Sequence, residues 1–289
     1  SNKETNKYIK WFRLRVLKNN NNDDDPPFRF LCNPIERQST FDNIFFKDKK
    51  KFIEKVDDFF KGKTTKLNLL LYGRPGGGKD ELIVAITRYL SELSKNNPID
   101  GNYDLYHIVS TSINLLNNDD DFMKFMYGNN TIDGKIIEHN RRVKVFPEIE
   151  NYLPHIFLKD ELNEISKNSK TPDELQKKMI EIINNKDITE NNDFKNIDFN
   201  EILKAGSQNK QKLQKGTILE ALSSYMDQKG TICIFTTNLP LNVIDPVLIR
   251  DGRLEPFELG SSSLELTKEF FESRYSKDII DKQLGINGD

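Results

Sequence analysis

The feature that most constrains the fold is a glycine-rich turn set between an apolar run and an amphipathic segment. Residues 67–90 have the sequence LNLLLYGRPGGGKDELIVAITRYL. The apolar run predicts a buried strand, and the periodic apolar positions after the turn predict a helix that begins near Lys79. A strand, a glycine-rich turn and a helix in succession are typical of α/β proteins built on a parallel sheet.

The turn fits the first seven positions of the phosphate-binding pattern G-x-x-x-x-G-K-[ST]. The candidate cofactor-binding residues are consecutive: Gly73, Arg74, Pro75, Gly76, Gly77, Gly78, Lys79 and Asp80. Glycine allows positive φ and lets backbone N–H groups approach phosphate oxygens closely. The helix N-terminus adds a partial positive charge, and the Lys79 ammonium can bridge the outer phosphates. The turn therefore predicts that ATP or ADP binds here; a glycine-rich turn without a ligand is the alternative.

The eighth position of the pattern is normally Ser or Thr, whose hydroxyl binds Mg²⁺, but here it is Asp80. A carboxylate beside the outer phosphates adds repulsion, which costs about 1 kcal/mol at 4 Å in water and more in a partly buried site. Carboxylates are also good magnesium ligands. Asp80 therefore either weakens triphosphate binding or is an unusual direct metal ligand, and the sequence leaves both possibilities open.

A second motif lies near the C-terminus, where residues 231–260 read TICIFTTNLPLNVIDPVLIRDGRLEPFELG. This segment resembles the second region of homology of AAA ATPases. The match covers Thr236, Thr237, Asn238, Asp245, Pro246, Leu248, Arg250 and Arg253. The resemblance implies that Asn238 is the polar sensor near the γ-phosphate. It also implies that Arg250 and Arg253 reach into the neighbouring subunit's nucleotide site, one of them as the arginine finger. A solvated or helix-capping role is the alternative for both arginines.

Two further segments resemble one branch of that family, the cytochrome-bc-complex assembly chaperones. They are residues 37–62, before the glycine-rich turn, and residues 216–230, before the T-T-N strand. The resemblance runs from about residue 37 to residue 260, and it is good at both ends and poor in the middle.

The strand that handles metal and water in this family ends in four apolar residues and D-E-x-D or E-D-I-D. The best counterpart is residues 143–150, VKVFPEIE. By this resemblance Glu148 is the water-activating acid and Glu150 matches the last acid, whereas Pro147 replaces the acid that supports Mg²⁺. A second register would use residues 156–161, IFLKDE, although Lys159 and the flanking His155 suit a buried central strand badly.

Two positions of the magnesium shell are thus abnormal, Asp80 and Pro147, and phosphoryl transfer depends on that metal. The function that we expect is an AAA-type ATP-binding protein, a ring-forming remodelling or chaperone module whose hydrolysis is weak or impaired. The expected partners are further copies of the chain and a protein client. One alternative is a nucleotide-gated scaffold that does not hydrolyse ATP. Another is a different P-loop enzyme, such as a kinase with Asp80 as its base.

The expected fold class is α/β, a P-loop NTPase (AAA) three-layer sandwich with a central parallel sheet. Strands are predicted at 67–72, 104–110, 143–147 and 231–236, with a possible first strand near 40–46. Residues 1–34 are expected to form an N-terminal segment and linker, residues 35–260 the nucleotide-binding domain, and residues 261–289 a short helical lid. Within the domain, residues 155–215 form a polar insertion, in which Thr171 and Pro172 predict a helix start.

Composition limits the partners and the compartment. The net charge of −2 over 289 residues gives no electrostatic reason to expect nucleic acid. No run of about 20 apolar residues exists, so no membrane span is expected. The two cysteines, Cys32 and Cys233, form no disulfide framework or zinc pattern. Cys233 is interpreted as a core residue of the T-T-N strand, which favours a reducing, intracellular and most simply cytoplasmic location.

Aromatic residues follow the second predicted strand, within residues 122–128, FMKFMYG. Many AAA proteins place pore loops that grip a substrate chain in this region. Packing in the core is the alternative and is favoured here, because aromatics near helical spacing are usually core residues.

Overall fold

The structure is a computed structural model of the chain. It describes residues 9–16, 28–96, 105–112, 115–116, 118–128, 130–132, 135–137, 139–151, 154–159, 213–223, 229–250, 252–260 and 264–273, together with 162, 164–165, 171, 174, 177–178 and 181.

A seven-stranded, mostly parallel sheet forms the centre of the fold. The described strands in chain order are β1 (Lys10–Val16), β2 (Phe28–Pro34), β3 (Lys66–Tyr72), β4 (His107–Ser110), β5 (Asn130–Ile132), β6 (Lys135–Ile137), β7 (Arg142–Phe146), β8 (Thr231–Thr237) and β9 (Glu255–Glu258). The order across the central sheet is β2-β1-β4-β7-β8-β3-β9. Strands β1 and β2 are antiparallel, and every other neighbouring pair is parallel. Strands β5 and β6 form a separate antiparallel pair.

Helices cover both faces of this sheet. Those described are α1 (Lys49–Phe60), α2 (Lys79–Asn96), α3 (Asp119–Tyr127), α4 (Pro154–Phe157), α5 (Lys215–Leu222) and α6 (Leu264–Glu272). The sheet and its helices enclose two hydrophobic clusters. Alternate residues of β3 divide between them: Leu69 and Leu71 face the cluster that includes α1 and α2, and Leu70 faces the cluster that includes α3, α4 and α5. The central strands are therefore buried on both faces, as in other parallel α/β sheets.

These observations confirm the α/β class and the central parallel sheet. The predicted strands at 67–72, 143–147 and 231–236 correspond to β3, β7 and β8, within one residue at each end. The predicted strand at 104–110 is β4 and begins at His107; residue 104 lies outside the described part.

The possible first strand near 40–46 is wrong. Residues Phe41–Asn43 form a single 3₁₀ turn, in which the Thr40 backbone N–H donates to Asn43 Oδ1 at 3.0 Å. The apolar side chains of Phe41, Ile44 and Phe46 are buried in the cluster beside α1 and α2. A local polar contact at the turn therefore outweighs the strand preference of the aromatic residues.

Two segments outside the predicted nucleotide-binding domain contact this core. Strands β1 and β2, which lie within the predicted N-terminal segment at 1–34, belong to the central sheet. Helix α6 lies in the predicted lid, and its Phe270 ring packs edge-on against Phe45 with 5.6 Å between ring centroids.

Most of the polar insertion at 155–215 lies outside the described residues. Of the helix predicted there, the described part includes Glu174, whose N–H donates to Thr171 Oγ1 at 3.2 Å. Among the described helices, none combines the length and apolar character needed to cross a membrane.

Candidate functional site

A cleft of about 970 Å³ opens at the carboxyl ends of the parallel strands. It is lined by the glycine-rich turn after β3, the ends of β4, β7 and β8, and side chains of β1. Loops at the carboxyl ends of parallel strands converge on one edge of the sheet, and ligands of open α/β sheets usually bind there.

The turn after β3 is fixed by contact with the residues that follow β9. Leu259 donates its backbone N–H to the Tyr72 carbonyl at 2.8 Å. Gly73 has a φ of 130°, and a Cβ at this position would lie 2.0 Å from the Leu259 carbonyl oxygen. The first glycine of the motif is therefore required because backbone passes directly beside it.

Two further glycines of the turn, Gly76 and Gly78, line the cleft and stand clear of other residues. Gly76 and Gly78 have φ values of 75° and 87°, and nothing lies within 4 Å of the place where a Cβ would stand on either residue. Arg74 and Pro75 are exposed, and the Arg74 carbonyl accepts the Gly77 N–H at 3.1 Å. The turn thus leaves space beside its backbone of the kind that a phosphate group occupies.

Lys79 lies at the centre of the site, in the first turn of α2. Its Nζ donates to the Gly73 carbonyl at 2.6 Å, to the Arg74 carbonyl at 3.0 Å and to Asn238 Oδ1 at 2.9 Å. Burial lowers the pKa of Lys79, and the nearby Glu150 carboxylate is the strongest of the charges that oppose this effect. The ammonium thus joins the turn to the T-T-N strand, and both predicted motifs meet at one atom.

The predicted acids follow β7 at the floor of the cleft. Glu148 is exposed, lines the cleft and has a φ of 47°, while its N–H donates to Thr236 Oγ1 at 3.1 Å. A positive φ in a residue other than glycine costs energy and is often found at functional sites. Pro147 also lines the cleft and has no group that could bind a metal.

Glu150, which the sequence comparison matched only to the last acid of the pattern, is buried beside Asn238. It is 2% exposed, and its Oε1 accepts the Asn238 backbone N–H at 2.9 Å. Burial raises the pKa of this carboxyl. Its Oε2 is buried and has no hydrogen-bond partner among the described residues. Glu150 therefore holds the backbone of Asn238 in place, and its match to the last acid of the family pattern was the signal for it.

The register with residues 143–150 places Glu148 at the cleft, whereas Asp160 and Glu161 of the second register lie outside the described residues. Strand β7 lies between β4 and β8, whereas residues 154–157 form the short helix α4 and Leu158 makes a single antiparallel bridge to Ile244. The second register was disfavoured because charged residues suit a buried central strand badly. That rule does not distinguish the two registers, because Arg142 and Lys144 of β7 are both fully buried.

Asp80 is exposed in the first turn of α2 and lines the cleft. Within the described residues, no group of three or more His, Cys, Asp or Glu side chains is placed to hold a metal ion. Magnesium in nucleotide sites is commonly held by one or two carboxylates and by phosphate oxygens. Asp80 together with bound phosphates therefore fits that ion, and Pro147 contributes nothing to it.

The two arginines lie away from the cleft of their own chain. Arg250 is exposed. Arg253 is half-buried, and its Nη1 donates to the Val247 carbonyl at 2.5 Å. The same loop is tied down by Asp245, which pairs with Lys215 of α5 and accepts the Val247 N–H at 2.8 Å. Arg253 thus has a structural contact within its own chain, and Arg250 has the more accessible guanidinium group.

Other cleft residues were missed from the sequence. Trp11 and Arg13 come from β1, Ser110 and Ser112 from the end of β4, and Arg37 pairs with Glu81 of α2 at 2.9 Å. No local pattern marks them, because the contact of Trp11 with Ser110 joins residues 99 positions apart.

The aromatic segment after β4 confirms the packing interpretation. Residues 119–127 form helix α3, and Phe122, Phe125 and Met126 are buried in the core. Cys233 is likewise buried, in β8, as expected.

No family model matches this chain, and no curated protein matches it significantly.

Proposed function

We propose that this chain is an AAA-type ATP-binding protein, a ring-forming remodelling or chaperone module with weak or impaired hydrolysis. The observation that carries the proposal is the hydrogen bond from Lys79 Nζ to Asn238 Oδ1. It brings together the phosphate-binding turn and the T-T-N strand, which are 159 residues apart in the chain. A site that binds the outer phosphates of ATP and contacts the γ-phosphate requires the lysine and the asparagine to lie side by side.

The shape and charge of the turn support a polyphosphate ligand. The open spaces beside Gly76 and Gly78 admit phosphate oxygens to the backbone. The N-terminus of α2 and the Lys79 ammonium provide the positive charge. The cleft volume lies within the usual range for sites that bind small molecules and cofactors.

The residues at the end of β7 and β8 support a slow hydrolytic step. Glu148 faces the cleft, where a carboxylate could accept a proton from an attacking water. Glu150 fixes the backbone of Asn238, whose side chain is then held beside Lys79. Magnesium, when bound through Asp80 and the phosphates, would neutralise charge that develops on them. Asp80 adds a negative charge to the site and Pro147 removes a supporting acid, so turnover should be low.

Those two substitutions also favour a second candidate, a nucleotide-gated scaffold that binds ATP without hydrolysing it. In both candidates, the exposed Arg250 lies outside its own cleft and supports a role at the site of a neighbouring subunit. Binding measured together with turnover separates the two candidates.

The experiment is calorimetric titration of ATP and ADP with Mg²⁺, matched to a phosphate-release assay on the same preparation. Lys79→Ala should lower affinity by about 10- to 100-fold, because it removes charged hydrogen bonds to phosphate. Lys95→Ala, in the last turn of the same helix, is the control and should leave affinity unchanged.

ADP should bind at least as tightly as ATP, because Asp80 repels the region of the γ-phosphate most. Equal affinity of Lys79→Ala and the unmodified protein would place the nucleotide elsewhere and overturn the proposal. Measurable phosphate release that Glu148→Gln abolishes would favour the enzyme over the scaffold.

A further inference from the structure

The cleft is longer than the part that the phosphate-binding turn serves. Neighbouring strands lie about 4.8 Å apart, so β1 stands roughly 19 Å from β3 across the sheet. Lys79 contacts Asn238 at the end of β8, and Glu148 follows β7. If a nucleotide binds at the turn, its outermost phosphate lies near these two residues. The half of the cleft over β4 and β1 is then left unfilled.

This remaining half, which we call the β1 subsite, is lined by Trp11, Arg13, Ser110, Ser112 and Leu115. Trp11 is half-buried, and its indole N–H donates to Ser110 Oγ at 2.8 Å. The ring is therefore held in one orientation by β4 while part of it stays accessible. A fixed, partly exposed indole is suited to stacking with a planar group.

The β1 subsite also has two polar groups that could bind a ligand, one charged and one neutral. The Arg13 guanidinium is exposed, lies 5.9 Å from the centroid of the Trp11 ring, and forms no ion pair with any described residue. Ser112 Oγ is buried and has no hydrogen-bond partner among the described residues. Arginine binds phosphate in a bidentate fashion, and a buried hydroxyl gains when a partner is supplied.

We propose that the β1 subsite binds a second ligand, a small molecule with a planar ring and an anionic group, of the nucleoside monophosphate class. Its ring would stack on Trp11, its phosphate would pair with Arg13, and Ser112 would bond to its sugar or ring. The inference rests on the proposed function in one respect only: a nucleotide bound at the turn determines which half of the cleft stays free for a second ligand.

Trp11 is the only tryptophan of the chain, so a change in tryptophan fluorescence arises at this residue. The full chain is first saturated with a non-hydrolysable ATP analogue, which blocks the turn. AMP, GMP, CMP and UMP are then titrated and followed by tryptophan fluorescence and by calorimetry. Adenosine and ribose 5-phosphate test the ring and the anion separately. At least one monophosphate should give a saturable change, with ribose 5-phosphate and the nucleoside at least tenfold weaker.

Arg13→Gln should weaken the monophosphate at least tenfold, and Ser112→Ala should weaken it by a smaller factor. Lys10→Gln removes a positive charge from the same strand without touching the cleft lining, and should change binding less than twofold. Binding of the ATP analogue shows that each variant is folded; if Arg13→Gln fails this test, Ser112→Ala decides instead.

Two results overturn the inference: no monophosphate gives a saturable change in either signal, or the folded variants bind as the unmodified protein does. If the ATP analogue itself does not bind, the proposed function fails instead. The two failures are therefore distinguishable.

Discussion

The carbonyl oxygen of Leu259 occupies the place where Gly73 would carry a side chain. A Cβ on residue 73 would lie 2.0 Å from that oxygen, and the Leu259 carbonyl carbon would be 3.1 Å away. Both groups belong to backbone and not to a flexible side chain. The residue that follows β9 and the glycine-rich turn are thus packed main chain against main chain.

Gly73→Ala should therefore lower the free energy of unfolding by at least about 3 kcal/mol, because backbone has to shift to admit the methyl group. Gly62→Ala is the matched control: its φ of 73° is also positive, but nothing lies within 4 Å of its Cβ position. It should cost only about 1 kcal/mol, from backbone strain alone. Urea unfolding measures both, and equal costs would show that the Leu259 backbone does not hinder a side chain at residue 73.

The double substitution Asp80→Thr with Pro147→Asp should raise ATP hydrolysis above that of the unmodified protein. It restores a hydroxyl and an acid for magnesium, while Glu148 and Asn238 keep their places in the cleft. Phosphate release is measured at saturating Mg-ATP. The same pair with Glu148→Gln added is the control and should return turnover to the baseline. No gain in folded, nucleotide-bound protein would mean that turnover is limited elsewhere in the site.

Substitution of Arg253 should affect stability, whereas substitution of Arg250 should affect assembly. Arg253→Ala removes a hydrogen bond to the Val247 carbonyl and should cost about 1–2 kcal/mol of stability. Arg250→Ala removes an exposed group and should leave the unfolding midpoint unchanged, yet it should weaken nucleotide-dependent assembly. Light scattering with a non-hydrolysable ATP analogue measures the assembly. A monomer at high concentration in every nucleotide state would favour the solvated and capping roles for both arginines.

Stability should rise with pH through the charge of Lys144. Burial, followed by the charge of Arg142, lowers the pKa of Lys144 from 10.5 to about 7. Above pH 7 the unfolded chain holds this proton and the folded chain releases it, so the free energy of unfolding increases with pH. The slope from this one group is at most about 1.4 kcal/mol per pH unit. Below pH 7 both states are protonated, and the cost of the buried charge is fully present.

The measurement is confined to about pH 7–9, because Cys233 acts in the opposite direction above that range. Burial raises the pKa of its thiol to about 12, so the folded state retains a proton that the unfolded state loses. Lys144→Met is the control for the lysine and should abolish most of the slope. If the variant and the unmodified protein show the same slope, Lys144 does not carry the effect.

Features that depend on neighbouring residues were predictable from the sequence. The strand, turn and helix around Gly73 and Lys79 lie within 24 residues, and each part has its own local signal. The T-T-N strand and its buried Cys233 were read in the same way. The meeting of Lys79 with Asn238 required the resemblance in addition, because nothing local joins residues 159 positions apart.

Features that depend on distant pairing were not predictable. The apolar pattern of β1 fits either a strand or a helix packed on the core, and it does not show which segment lies beside it. Arg142 and Lys144 are polar residues in a central strand, and only tertiary packing shows that both are buried. The segment at 40–46 has strand-forming residues, but the Thr40–Asn43 contact closes it into a turn.

The pairing of β1 with β4 can form only late in the synthesis of the chain. The contact between the Lys10 backbone N–H and His107 Nδ1 joins residues 97 positions apart. A ribosome makes the chain from its N-terminus, so β1 and its antiparallel neighbour β2 are made long before β4, the parallel neighbour of β1. Until then the side chains of Phe12 and Leu14, buried in the finished protein, have no core to enter. Strand β1 therefore reaches its place between β2 and β4 only after more than 90 further residues have been made.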